Sequence, residues 1–198
     1  MRIKAILTPL ALTVAGAIAL SSAPARADII AAYVEGHGGL GNNDNGRETA
    51  SGSSSGSGLV PALGFQLGAR VLIFEGYFDR TAFGSGASVS RGILGLRAGL
   101  GSQNLRLVLR AGGGVISEEG GALTGMNLGV PERQGVVGRA GVAVETALAP
   151  GKLWGGAGLD GEVFSLAAAS PAPSSGVVGR TQGSDAFLSL YLKFELGI

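Results

Sequence analysis

From Phe187 to Ile198 the side chains change character at every step: Leu188, Leu190, Leu192, Phe194, Leu196 and Ile198 alternate with Ser189, Tyr191, Lys193, Glu195 and Gly197. A period of two is that of a pleated strand with one apolar face and one polar face. The same alternation predicts seven earlier strands: Ile29–Gly38, Leu59–Ala69, Leu72–Asp79, Arg91–Leu100, Leu105 to Gly112, Val136 to Glu145, and Leu153–Val163. Each is close to the roughly 9–11 residues that a tilted membrane strand needs. In the first, Ile30, Ala32 and Val34 oppose Tyr33, Glu35 and His37; in the seventh, Leu153, Ala157, Leu159 and Val163 oppose Trp154, Gly156, Gly158, Asp160 and Glu162.

Charge obeys the same period. Six strands hold two charges each: Glu75 and Asp79, Arg91 and Arg97, Arg106 and Arg110, Arg139 and Glu145, Asp160 and Glu162, Lys193 and Glu195. Every separation is even, so each pair shares a face, an agreement with about one chance in 64 by halving alone. An Arg or Lys facing lipid at the midplane costs about 2–4 kcal/mol, so a one-residue slip of any such strand is penalised heavily. The apolar faces are therefore expected to meet lipid, and the polar faces to line a closed barrel. The expected interior holds seven acids, Glu35, Glu75, Asp79, Glu145, Asp160, Glu162 and Glu195, and seven bases, Arg70, Arg91, Arg97, Arg106, Arg110, Arg139 and Lys193. In an eight-stranded lumen, wide enough only for side chains, these balanced charges should pair into a plug.

Connections alternate in length. Long polar or small-residue stretches follow the odd strands: Gly39–Gly58, Arg80–Ser90, Ser117–Gln134 and Ser165–Gly183. Short ones follow the even strands: Arg70-Val71, Ser102-Gln103-Asn104 and Ala149-Pro150-Gly151-Lys152. Asn104 and Pro150-Gly151 are good turn residues, whereas Arg70-Val71 are not. Long loops on one side and tight turns with both termini on the other are the layout of an outer-membrane barrel.

The N-terminal segment explains how such a chain would reach that membrane. Arg2 and Lys4 precede an apolar stretch, Ala5–Leu20, and then Ala25-Arg26-Ala27, a small-x-small cleavage site. Residues 1–27 are thus expected to be a cleaved signal peptide and residues 28–198 one barrel domain. Past the signal, no uncharged apolar run approaches the roughly 18 residues of a spanning helix. The 37 glycines among 198 residues disfavour helix, and small side chains suit a narrow barrel interior. Removing Arg2, Lys4 and Arg26 from the 15 basic residues leaves fewer bases than the 14 acids, so nothing points to nucleic acid. With no cysteine, lipoprotein anchoring, disulfides and thiol chemistry are excluded.

With Tyr33-Val34-Glu35-Gly36 at its entry, its loop alternation and its closing run Leu188–Ile198, the mature chain resembles the small eight-stranded outer-membrane barrels of the outer-membrane protein A, X and W type. The resemblance implies an all-β, antiparallel, up-and-down transmembrane barrel in the outer membrane, and assigns no functional residue. Members of that family usually end in an aromatic residue read by the assembly machinery. Here the end is Ile198, with Phe194 four residues earlier and Lys193 where a glycine is often found.

Three motifs invite a chemical reading. Gly36-His37-Gly38-Gly39-Leu40-Gly41 matches G-x-G-x-x-G, but Asn42-Asn43-Asp44-Asn45-Gly46 follows in place of the helix that would receive a pyrophosphate. The glycines are expected to loosen the strand into its first loop. Around Asn43, Asp44 and Asn45, aligning Gly46 with the sixth position of a calcium loop puts glycine at the first and last ligand positions, so the pattern fails. His37, the only histidine, could act as a base only if a serine such as Ser88, Ser90 or Ser117 shared its rim. Ser51–Gly58 and Ala167–Ser175 read as low-complexity loops.

The expected protein is a monomer with no cofactor, no metal and no catalysis, whose partners are outer-membrane lipid, the assembly machinery and an unidentified loop ligand. Its role is then structural or one of surface interaction. A small-solute channel of the W-type kind is the alternative. A soluble barrel carrying a lipophilic ligand would have to turn its apolar face inward and leave fourteen strand charges outside.

Overall fold

The computed structural model describes residues 29–41, 59–84, 88–119, 133–167 and 182–197. Eight strands run in chain order: β1 (Ile30–Gly41), β2 (Val60–Val71), β3 (Phe74–Phe83), β4 (Ser88–Gly101), β5 (Leu105–Glu119), β6 (Arg133–Ala149), β7 (Leu153–Leu166) and β8 (Gln182–Gly197). Each pairs antiparallel with the next, and β1 pairs with β8, so the sheet closes into an up-and-down barrel. All eight predicted strands are present. They run further toward the long-connection end than alternation alone indicated, taking in Gly39–Gly41, Arg80–Phe83 and Ser88–Ser90. The strand therefore continues through the glycine-rich motif, which does not loosen it: Gly36 to Gly41 pair with β2 on one side and β8 on the other.

The stagger of the barrel can be followed along one row of paired residues. From Trp154 on β7 the row passes through Lys193, Glu35, Gln66, Asp79, Arg91, Ile116 and Gly135 and returns to β7 at Leu166, 12 residues further on. Eight strands with a stagger of eight tilt by about 36°. A stagger of 12 tilts these strands more steeply and widens the interior, making room for long charged side chains.

The turns sharpen one expectation and correct another. Lys152 N donates to Ala149 O at 3.0 Å across Pro150 and Gly151, and Gly151 has φ +72°, so the sixth and seventh strands are joined by a type II turn. Ser102 Oγ accepts from the amides of Asn104 and Leu105 at 3.2 and 3.1 Å. The connection placed at Arg70-Val71 is in fact Leu72-Ile73: Val71 pairs with Phe74 and Arg70 with Glu75 inside the ladder. Leu72 takes φ +57°, a left-handed conformation that glycine favours, and its amide donates to Ile29 O at 2.9 Å.

Outside, the wall is hydrocarbon. Leu63, Leu94, Leu159, Val163, Leu188, Leu190 and Leu192 all lie on the exposed parity, Leu94 at 76% exposure. Inside, two inward glycines make space for tyrosine rings on the paired strand. Gly68 lies beneath Tyr33 and Gly156 beneath Tyr191; a Cβ at either would come within 2.4 Å of the ring.

Candidate functional site

The fourteen charged residues picked out by parity all project into the lumen, in two clusters stacked along the axis. Nearer the tight turns, Glu145 is the hub. Its Oε1 accepts from Arg97 Nη2 at 2.6 Å, Lys193 Nζ at 2.6 Å and the Tyr191 hydroxyl at 3.0 Å, and its Oε2 accepts from Arg106 Nε at 2.6 Å. Register explains the convergence. Glu145 pairs with Gly156, which pairs with Tyr191, so a glycine on β7 lets groups from β6 and β8 meet across it. Arg97 also reaches Glu75 at 3.1 Å, while Arg106 and Arg70 share the two oxygens of Glu195 at 3.0 and 2.8 Å. The Arg106 guanidinium stacks over Trp154, 3.7 Å from the ring centroid.

The second cluster, nearer the long connections, is built on two bidentate arginines. Arg110 grips Asp160 through Nε and Nη2 at 2.9 and 2.6 Å, and Arg91 grips Glu162 at 2.7 and 2.8 Å. Arg91 Nη1 also donates to Asp79 Oδ1 at 2.7 Å, and Arg139 Nη2 joins Asp160 at 3.2 Å. This cluster is balanced, three arginines to three carboxylates. The Glu145 cluster has four bases to three acids. Glu35 closes the difference. It is buried between the two, with Arg110, Lys193 and Arg97 as its charged surroundings, and its Oε2 has no hydrogen-bond partner.

Above these charges the inner wall changes character. Ala62, Phe83, Val89, Ile116, Val137 and Leu166 pack together, with Val60, Phe164 and Phe187 against them. This apolar collar was missed because Phe83 and Val89 fell in the stretch assigned to a loop; continuing the parity of Arg91 and Asp79 by two to four residues finds both. A small cavity of about 20 Å³ remains against Thr81, Phe83, Arg91, Arg139, Glu162 and Phe187, room for about one water. Parity continued past Arg110 and Arg139 also reaches Glu118 and Arg133, which pair at 2.5 Å.

His37 sits inside this upper region. Thr81 Oγ1 donates to Asp79 Oδ1 at 3.0 Å and accepts from Arg91 Nη1 at 3.3 Å, and His37 Nε2 lies 3.3 Å from the same hydroxyl. The serines considered as its partners lie elsewhere. Ser88, Ser90 and Ser117 fall on the outward parity of β4 and β5, through the wall from the inward His37. Among the described residues no group of His, Cys, Asp and Glu has metal-binding geometry. The segment around Asn43, Asp44 and Asn45, residues 51–58 and 168–175, and the signal segment 1–27 lie outside the described residues.

No protein-family model matches the sequence, and no curated protein matches it. Solved structures do resemble it. Neisserial surface protein A superposes with a TM-score of 0.53 at 11% identity, over 83% of this chain and 96% of that one. The N-terminal β-barrel domain of Pseudomonas aeruginosa OprF gives 0.50 at 12%, over 84% of this chain and 97% of that one. At such identities the likeness is one of fold. The closed eight-stranded topology, the hydrocarbon exterior and the charged lumen agree with it: the chain has the fold of the small eight-stranded outer-membrane β-barrels.

Proposed function

We propose that this chain is exported by residues 1–27, inserts in the outer membrane as a monomer with the help of the assembly machinery, and serves a structural or surface-interaction role through its four long connections. The observation that carries the reading is an ion-paired lattice beside a buried apolar cluster, an arrangement that favours a closed lumen over a conducting one. Solute would have to part charge-assisted hydrogen bonds and wet an apolar constriction, both of which oppose conduction. What remains able to meet a partner is the end where β1–β2, β3–β4, β5–β6 and β7–β8 are connected.

We read the protein as non-enzymatic. The Thr81 proton is engaged by Asp79, so the hydroxyl 3.3 Å from His37 is held as an acceptor rather than freed as a nucleophile. The test joins fractionation to electrical recording. The mature chain should be found in the outer-membrane fraction, migrate differently on gels with and without boiling, and leave planar bilayers electrically silent. Recovery in the soluble fraction would contradict the membrane placement; steady single-channel steps would favour the small-solute channel instead.

A further inference from the structure

The ion-paired lattice and the apolar collar meet at one side chain. His37, the only histidine of the chain, is buried on the inward face of β1. Its Nε2 lies 3.3 Å from Thr81 Oγ1 on the lattice side, and its ring meets Phe187 edge-on at 5.7 Å between centroids. Phe187 in turn meets Phe83, a ring of the collar, at 6.4 Å. On the paired strand Gly64 leaves the imidazole its place: a Cβ there would come within 2.5 Å of Nε2. The small cavity borders the same contacts, with Thr81, Phe83 and Phe187 all in its wall.

The charges around this ring come from nearly every strand. Asp79 on β3 is nearest: its Oδ1 already receives Arg91 and Thr81, and its Oδ2, which accepts no hydrogen bond, lies 3.7 Å from Nε2. Arg91, Arg110 and Arg139 bring guanidinium charges from β4, β5 and β6. Asp160 and Glu162 on β7 are held by those arginines, Asp185 on β8 stands in the cavity wall, and Glu35 is two residues away on β1; β2 offers only the uncharged Gly64 and Gln66. Because the Thr81 proton goes to Asp79, the bond between Nε2 and Thr81 requires the ring to donate, which an uncharged imidazole does while packing its edge on Phe187. A second proton would add a fourth cation beside three guanidiniums and a second N–H in need of an acceptor or water. Imidazole is the side chain whose ordinary titration falls in the mildly acidic range. We infer that His37 is an acid-sensitive latch on the collar: uncharged, it holds Phe187 against Phe83; protonated, it draws water into the cavity beside them and loosens the apolar barrier. The inference rests on the membrane placement and lumen closure proposed above.

With one histidine in the chain, a single imidazole Cε1 NMR signal of the full-length mature protein in micelles follows the ring directly. As the pH is lowered this signal should titrate while heat-modifiable migration shows the barrel intact. Over the same interval the Phe187 ring should flip faster, and the indole signal of Trp154, which belongs to the other cluster, should stay in place. Planar bilayers give the second readout. R97Q opens the lattice and leaves the collar as the remaining barrier, so it should be silent at neutral pH and leak once the ring is protonated. R97Q/H37Q, whose amide takes up no proton, should stay silent throughout. A ring that stays uncharged until the barrel unfolds, titration without a faster Phe187 flip, or equal acid leak from R97Q/H37Q overturns the latch. A slower Phe187 flip on protonation also overturns it, showing that the imidazolium instead clasps Asp79 Oδ2. Leak from R97Q at neutral pH shows that the collar does not seal, which removes the latch while leaving the barrel standing. Steady steps from the native chain at neutral pH overturn the lumen closure, and recovery in the soluble fraction overturns the membrane placement, each taking the latch with it.

Discussion

Glu145 on β6 and Lys193 on β8 meet at 2.6 Å across the inner surface of the strand between them, both 0% exposed. A buried ion pair contributes little net stability because both charges must be desolvated, yet removing one partner leaves the other stranded. Glu145 receives four donors, so its loss strands more groups than the loss of any one of them. E145Q should destabilise by about 3–5 kcal/mol and K193M by less, with a coupling energy of about 0.5–3 kcal/mol between them. Urea unfolding in vesicles, followed by the gel shift and by Trp154 fluorescence, measures all three.

The Leu72-Ile73 turn carries a residue in a conformation that side chains disfavour. L72G relieves it at a position where glycine is the favoured residue of a two-residue hairpin. The variant should be more stable by about 1 kcal/mol and refold at least as fast, despite shedding an exposed leucine. A loss of stability in the same unfolding experiment would count against the turn as described.

Each tyrosine–glycine pair makes a reciprocal prediction. G156V drives a side chain into the space of the Tyr191 ring and should cost about 1–3 kcal/mol by overpacking. The double variant G156V/Y191A should recover part of that cost, although it gives up the hydroxyl bond to Glu145. Failure of any recovery would mean the ring does not occupy that space.

These cases mark what could be read from the residues alone. Strand number and face were legible because a membrane barrel applies one rule twice: lipid penalises outward charge and the lumen excludes excess bulk. Fourteen charges on the inward parity record the result. The Leu72 turn was hidden because two apolar residues carry no turn signal; closure of the barrel and the amide bond to Ile29 O impose the bend on them. The collar and the Glu118–Arg133 pair were hidden for a different reason. Their strands run on past the first polar residue, where parity still holds although hydropathy has dropped. The convergence on Glu145 depends on stagger, which no single strand encodes.

Closure of the lumen makes its own prediction. On the proposed closure by both lattice and collar, opening the lattice alone with R97Q should leave bilayers silent. Pairing R97Q with F83A and I116A should give measurable leak. Leak from R97Q alone would show that the collar does not seal.

The most direct test concerns which way the side chains of β8 point. The chain has no cysteine, so single cysteines at Leu188, Ser189, Leu190, Tyr191 and Leu192 each give one site for a fluorescent label. In vesicles containing brominated lipid, labels at Leu188, Leu190 and Leu192 should be strongly quenched and those at Ser189 and Tyr191 should not. Equal quenching at adjacent positions, or stronger quenching at Ser189 than at Leu190, would contradict a barrel with hydrocarbon outside and ions within.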